Sequence, residues 1–333
     1  MRTLHNIKNM LSIYFGILEE KHLTGYLQCK HIPVSFKTSE PIENLWKKHY
    51  IALQNKKISE TEPKQSLLDL KKELASQIFQ QCCFCERKCM VDRRKQSGNC
   101  GVKLPQVASE FFHYGEEYVL VPSYTIFFSG CTFHCVFCQN WDISQQSRGI
   151  YVEPSMLAGF IEKRASQGAR NVNWVGGDPT PNLPFILETL KHCKENIPQI
   201  WNSNMYCSIK TMKLLNGVID LYLTDFKYGN NSCAKRLSKV NNYIKIIQRN
   251  HKIAHDNGDM IIRHLVMPNH IECCSKPVLK WIAKHLPNAI VNIMAQYRPE
   301  YHAYKYSDIS RPITLDEVKI VKEYAEQLNI HEI

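Results

Sequence analysis

The sequence predicts an α/β fold with a mainly parallel sheet and helices outside it, and three observations carry that prediction. Apolar, β-branched runs of strand length recur between residues 124 and 297. Stretches of helical periodicity separate them, and polar residues gather where each run stops. Six strand–helix repeats of this kind build either an open doubly wound sheet or a barrel. In both, chemistry collects at the C-terminal ends of the strands.

The strand candidates are YTIFFS (124–129), NVNWVG (171–176), QIWNS (199–203), DLYLTDF (220–226), MIIRHLVM (260–267) and AIVNIMAQY (289–297). Helical spacing fits 153–167, 183–195, 208–216, 239–257 and 272–286. A last helix over 314–328 opens with Thr314 and has Glu317 three residues on, a capping-box signature. Ahead of the repeats, SLLDLKKELASQIFQ (66–80) sets Leu67, Leu68, Leu70, Leu74 and Ile78 at helical spacing. The expected organisation is an N-terminal helical extension (1–80), a Cys-rich metal-binding module (81–123), a β/α core (124–298) and a C-terminal helical extension (299–333).

A chain of 333 residues can bury a substantial core. No stretch approaches the ~20 apolar residues of a membrane helix. MLSIYFGIL (10–18) is too short, and although Arg2 and Lys8 precede it, Glu19 and Glu20 follow directly. It reads as the start of a core or docking helix, so the expected location is cytoplasmic and away from membranes. Fourteen cysteines, locally clustered in a long chain, point to metal ligation in a reducing compartment rather than to a disulfide scaffold. The net charge of +11 reads as a solvated basic surface, because no nucleic-acid motif accompanies it.

The strand ends are the informative part. The first run stops in a cysteine loop, the second in GGDPTP, the third in NSNMY, the fourth in DFK, the fifth in RHLVMP and the sixth in QYRPEY. Core packing alone does not require polar residues at all six. The loop SGCTFHCVFCQNW places Cys131, Cys135 and Cys138 in a CxxxCxxC pattern. A structural zinc site takes four protein ligands, and a catalytic zinc usually takes histidine or carboxylate. Three thiolates suit a cubane iron–sulfur cluster whose fourth iron, left without a protein ligand, can bind a small chelating molecule.

These residues, with Phe137 before the third cysteine, resemble the signature of the radical S-adenosylmethionine (radical SAM) superfamily. The resemblance implies a partial (β/α)6 barrel, a 4Fe-4S cluster on Cys131, Cys135 and Cys138, and SAM chelated to its open iron. It also implies an electron donor of the reduced flavodoxin or ferredoxin type. Reductive cleavage of SAM would then give methionine and a 5′-deoxyadenosyl radical that abstracts a hydrogen atom. WVGGDPTP resembles the segment whose backbone receives the SAM amino group, here Gly176, Gly177 and Asp178, with Asp178 in place of the usual glutamate. WNSNMY and TDFKYG look like segments that touch SAM's ribose and methionine. By that similarity Asn202 and Asn204 are ribose-side candidates, Asp225 a polar or cation contact, and Lys227 a partner for the carboxylate. Arg263 is a candidate for the same carboxylate or a substrate acid, while His264, on the opposite face, reads as a satisfied core histidine. Gln296, Tyr297 and Arg298 are offered to the cavity.

Upstream, Cys82, Cys85, Cys89 and Cys100 offer four thiolates within twenty residues, leaving Cys83 spare. They suit a zinc knuckle or a second iron–sulfur cluster, and the spacing leaves both open. Arg87, Lys88, Arg93, Arg94 and Lys95 would offset their charge. Placed before the core, this module looks like that of an uncharacterised radical SAM branch related to pyruvate formate-lyase activating enzyme. If that likeness extends to function, the target is a backbone glycine of a partner protein. The alternatives are modification of a small molecule or another macromolecule, and, from a different class, a non-catalytic metal-binding or electron-transfer protein.

Overall fold

The computed structural model describes residues 2–146 and 148–333. Its strands are β1 (Val107–His113), β2 (Ser123–Phe128), β3 (Asn171–Gly176), β4 (Gln199–Ser203), β5 (Leu221–Asp225), β6 (Asp259–Leu265), β7 (Ile290–Met294) and β8 (His331–Glu332). All eight form one sheet in sequence order. β1 runs antiparallel to β2, and every later pair is parallel. A doubly wound sheet reverses its strand order at a switch point. Here each strand lies beside its predecessor throughout, so the crossovers wind one way and the sheet is a partial barrel.

Side-chain alternation divides the inner face of that barrel into two levels. Ile200, Leu223, Ile261 and Ile290 pack with Ile7, Leu11, Tyr14 and Phe15. Two residues further along the same strands, Asn202, Asp225, Arg263 and Asn292 line a cavity. The N-terminal helices Arg2–Met10 and Ser12–Leu18 therefore plug the bottom of the barrel, and the polar level lies above the plug. A carboxylate at the start of β6 fastens the plug: the Tyr14 amide donates to Asp259 at 2.7 Å. Asp220, just before β5, likewise accepts from the Gly25 amide at 2.8 Å, at the start of the following helix Gly25–His31.

The helix Leu67–Gln80 begins with a Ser66–Asp69 capping box and buries the five apolar residues whose spacing predicts it. The buried Lys71 ammonium donates to the carbonyls of Leu214 (3.1 Å) and Asn216 (2.7 Å), closing the end of the helix Ile209–Leu215. The Thr314–Glu317 capping box is present at the start of the helix Leu315–Gln327.

Four elements differ from the sequence reading. The stretch 239–257 holds one helix, but it begins only at Tyr243 (Tyr243–Asn257), and an unexpected helix, Asn231–Ser238, precedes it across Lys239 and Asn242, both at positive φ. The stretch 272–286 opens with a π turn (Ile271–Ser275) before the helix Lys276–His285. β1 and β8 extend the sheet at its two edges, β1 inside the expected metal-binding module and β8 inside the C-terminal extension. β1 is half-exposed and carries Glu110, so it lacks the apolar run that marks the central strands. Pairing with β2, stacking of Phe111 on Phe127 and the Glu110–Arg164 ion pair hold it there. Among the described residues no helix is long and apolar enough to cross a membrane.

Candidate active site

The cavity above the plug has a volume of about 370 Å³, within the range for a small-molecule site. Its floor is the loop that leaves β2. Cys131, Cys135 and Cys138 all line it, with Phe133 and Phe137 between them. Each sulfur has a polar neighbour within 3.3 Å. Cys131 Sγ accepts from the Phe133 amide at 3.3 Å, Cys135 Sγ lies 3.0 Å from Ser238 Oγ, and Cys138 Sγ lies 3.2 Å from Ser144 Oγ. Burial raises the pKa of all three thiols, Cys135 to about 12 and Cys131 well above its ordinary value. They become thiolates only when a cation replaces the proton. Three thiols without an imidazole are a donor set that fits iron–sulfur ligation.

The next loop reaches the cavity through Gly176 and Gly177. A Cβ on Gly176 would collide with the backbone of Phe128, and one on Gly177 with the carbonyl of Gly130. Close approach of β3 to β2 and the cysteine loop therefore requires both glycines, whatever ligand they meet. Asp178 turns away from the cavity. Its carboxylate accepts from the Thr180 amide (2.9 Å), Ser203 Oγ (2.9 Å) and the Asn204 amide (3.1 Å), tying the β3 loop to the β4 loop. Asn202 and Asn204 line the cavity. Asn204 Nδ2 donates to Thr132 Oγ1 at 2.9 Å and lies 3.7 Å from Cys131 Sγ, so this side chain braces the cysteine loop.

From β5, Lys227 Nζ pairs with Asp225 at 2.7 Å inside the cavity. Burial by itself would lower the lysine's pKa, but Asp225 and the thiols of Cys135 and Cys138 reverse this, and the net shift is upward. Arg263 also lines the cavity, yet its guanidinium is already engaged. It pairs with Glu116 and, at 2.6 Å, with Glu117. Glu117 also accepts from Asn292 at 2.8 Å, and Glu116 from Asn173 at 3.0 Å. Arg263, the candidate for a ligand or substrate carboxylate, thus lines the cavity with two protein carboxylates already against it.

Gln296 lines the cavity, but Tyr297 and Arg298 do not reach it. The Tyr297 hydroxyl donates to the Ile309 carbonyl at 2.6 Å, and Arg298 pairs with Glu300 at 3.0 Å. His264 is fully buried, with Nδ1–H donating to the Phe226 carbonyl and Nε2 facing Ser275 Oγ, both at 2.8 Å. The residues missed in the sequence are Glu116, Glu117, Asn292, Ser144 and Ser238. Only the adjacent carboxylates at 116–117 offered a signal, as a charged pair just ahead of an apolar run.

In the upstream module Cys82, Cys85 and Cys100 are buried and Cys89 is half-buried. Of the five basic residues expected to offset their charge, only Arg93 meets the sulfurs, with Nη1 3.6 Å from Cys82 and 3.7 Å from Cys100. Arg87 instead donates to the Thr132 and Lys239 carbonyls, Lys88 pairs with Glu86, and Arg94 with Asp92. Arg93 is buried with Nε and Nη2 lacking any hydrogen-bond partner.

A partial β/α barrel with three thiols lining a polar cavity fits a metal-cofactor site of the iron–sulfur kind. Residues 125–282 match the model of the Radical SAM superfamily. The chain is 52% identical over 274 residues to Uncharacterized protein MJ0674 of Methanocaldococcus jannaschii, covering 80% of each chain. It belongs to the radical SAM superfamily. Membership implies a 4Fe-4S cluster and SAM, supports an enzyme, and brings the need for a reductant. Among solved structures, it is similar to Streptococcus suis SuiB bound to precursor peptide SuiA, at 16% identity and a TM-score of 0.42, over 61% of this chain and 46% of that one. It is also similar to methylornithine synthase (PylB), at 12% identity and a TM-score of 0.45, over 96% of this chain and 78% of that one. The chain thus spans less than half the length of the SuiB chain.

Proposed function

We propose that this protein reductively cleaves SAM at the cavity and abstracts a hydrogen atom from a substrate that enters at the strand ends. The observation that carries the reading is the convergence of Cys131, Cys135 and Cys138 with the Asp225–Lys227 pair and the Gly176–Gly177 backbone in one cavity. When bound, the cluster and SAM supply one-electron cleavage of a sulfonium C–S bond, releasing methionine and a 5′-deoxyadenosyl radical. Cys131, Cys135 and Cys138 would hold three of the four irons. Lys227 takes the methionine carboxylate, because one protein carboxylate, Asp225, holds it whereas two hold Arg263. Asn202 and Asn204 stand on the ribose side. Phe127, Phe137, Leu265 and Met294 form apolar wall that keeps water from a reactive carbon. Glu116, Glu117 and Asp225 exceed Lys227 and Arg263 by one negative charge, which suits a ligand whose sulfonium and ammonium outnumber its carboxylate.

The module at Cys82, Cys85, Cys89 and Cys100 is read as a second metal centre, zinc or iron–sulfur. A buried arginine with two unpaired nitrogens beside neutral thiols is costly; beside metal-bound thiolates, its charge is matched. The reductant is of the reduced flavodoxin or ferredoxin type, and the setting cytoplasmic. A backbone glycine of a partner protein is the substrate favoured by the activating-enzyme phrases in the sequence, although the matched family and relatives do not extend to it.

The deciding experiment is oxygen-free incubation of the reconstituted protein with dithionite and SAM. Formation of 5′-deoxyadenosine is expected in the wild type and not in Cys135→Ala. No product from protein with full iron and sulfide content would overturn the reading. Adding a candidate glycyl-radical enzyme and recording its paramagnetic resonance then tests the glycine target, and no glycyl signal would reject that target alone.

A further inference from the structure

Fourteen free cysteines leave several that neither motif uses, and three side chains far from both motifs in sequence meet at the end of β6. We infer that Cys233, His270 and Cys273 form a third metal site, one for a single borderline-soft divalent cation of the zinc class.

The ligand atoms of the three residues all lie within 4.8 Å of one another, and the two sulfurs are 4.0 Å apart. Tetrahedral zinc with bonds of ~2.3 Å to sulfur and ~2.0 Å to nitrogen separates its ligand atoms by roughly 3.5–3.8 Å, so small side-chain adjustments suffice. The imidazole already has the required tautomer. His270 Nδ1 faces the Pro268 carbonyl at 2.9 Å, which can only accept, so that nitrogen carries the proton. Nε2 accepts from the guanidinium of Arg236 at 3.3 Å and lies 3.5 Å from Asp308, so a bound ion would take the place of the guanidinium at that lone pair. Fixing the far nitrogen through a backbone carbonyl is the usual outer-shell arrangement of a ligating histidine.

Asn230 organises the two thiols. Its carbonyl oxygen accepts from the Cys233 amide at 2.8 Å, while its amide nitrogen lies 3.3 Å from Cys233 Sγ and donates to the Cys273 carbonyl at 2.9 Å. One side chain thus holds both cysteines from outside the trio. Charge is also balanced. Arg236, the nearest cation, is paired with Asp308 through both nitrogens, and two thiolates would match a divalent ion. Three protein ligands leave a fourth corner for water or another ligand, and Cys273 is exposed.

The location gives the ion a structural task. Cys233 lies in the first turn of Asn231–Ser238, and Ser238 at its end touches Cys135 Sγ. His270 and Cys273 lie on the crossover after β6. The ion would staple that helix to the crossover and hold Ser238 against the rim loop.

The test compares wild type with Cys233→Ser/Cys273→Ser, both prepared oxygen-free and loaded with Zn2+ alone or Co2+ alone. One equivalent of zinc should be lost in the variant with iron content unchanged, together with part of the thiolate-to-cobalt charge-transfer absorption. His270→Asn should lose the same equivalent. Equal zinc content and equal cobalt spectra in wild type and variant would overturn the site. So would a Cys233–Cys273 disulfide found by peptide mapping of the oxygen-free wild type. If the double variant fails to fold, Cys273→Ser alone answers the question, because that side chain is exposed.

Discussion

The backbone amide of Cys131 donates to the carbonyl oxygen of Cys100 at 3.2 Å. One hydrogen bond therefore joins the last cysteine of the upstream module to the first cysteine of the rim loop. Arg87 adds a second tie, from Nε to the Thr132 carbonyl at 2.6 Å. The two cysteine groups, separate in the sequence, form one continuous piece of structure.

That continuity makes Arg93 a discriminating position. With thiolates around a metal at Cys82 and Cys100, Arg93→Met removes the matching charge and should lower stability by about 3 kcal/mol, with loss of the upstream metal. With neutral thiols there, the same change deletes an unpaired buried charge and raises the melting temperature. Thermal unfolding together with iron and zinc analysis separates the two signs, and a stabilised variant of unchanged metal content would count against a metal centre.

Lys227 and Arg263 should separate cleanly by phenotype. Lys227→Met is expected to weaken SAM binding about tenfold, near 1.4 kcal/mol, with iron content unchanged. Equilibrium dialysis with SAM under oxygen-free conditions checks this, and wild-type affinity would reject the carboxylate role.

For Arg263→Met the larger loss is in stability. Glu116 and Glu117 are left buried without their cation, a change that costs about 3 kcal/mol in denaturant unfolding. A stable variant with lost SAM affinity would instead show that the arginine serves the ligand.

Leu11 is fully buried in the plug beneath the polar level of the barrel. Leu11→Ala should cost about 3 kcal/mol, since this layer is closed by strands on one side and helix on the other. A change under about 1 kcal/mol would mean that the plug contributes little to holding the strands.

Acid should weaken the fold through buried histidines. Burial holds the pKa of His264 at about 4, below its ordinary 6.5. A group whose folded pKa is depressed contributes fully above its unfolded pKa and loses that contribution as pH falls toward the folded one. The stability difference between wild type and His264→Gln should therefore shrink by about 2 kcal/mol between about pH 7.5 and about pH 5. A difference independent of pH would show that His264 is not held neutral.

Much of this site is legible in the sequence. The six central strands are largely buried on both faces and rich in apolar residues, so each stands out as a run, and the polar residues at its end are conspicuous. The rim cysteines, the two glycines, Asn202, Asn204, Asp225 and Lys227 were all found that way, and they line one cavity. What stayed hidden depends on partners distant in sequence. Arg263 reads as a free cation until Glu116 and Glu117, 146 and 147 residues earlier in the numbering for Glu117 and Glu116 respectively, are seen against it. β1 was missed because an edge strand needs only one apolar face and carries charge on the other.

The sequence by itself determined the repeating β/α units, the chemistry at their ends and the family, because periodicity and residue type act locally along the chain. Only the tertiary structure decided that the units wind into a partial barrel, that the first helices plug it, and that Cys233 meets His270 and Cys273. Those are matters of which surfaces bury one another, and burial joins residues without regard to their separation along the chain.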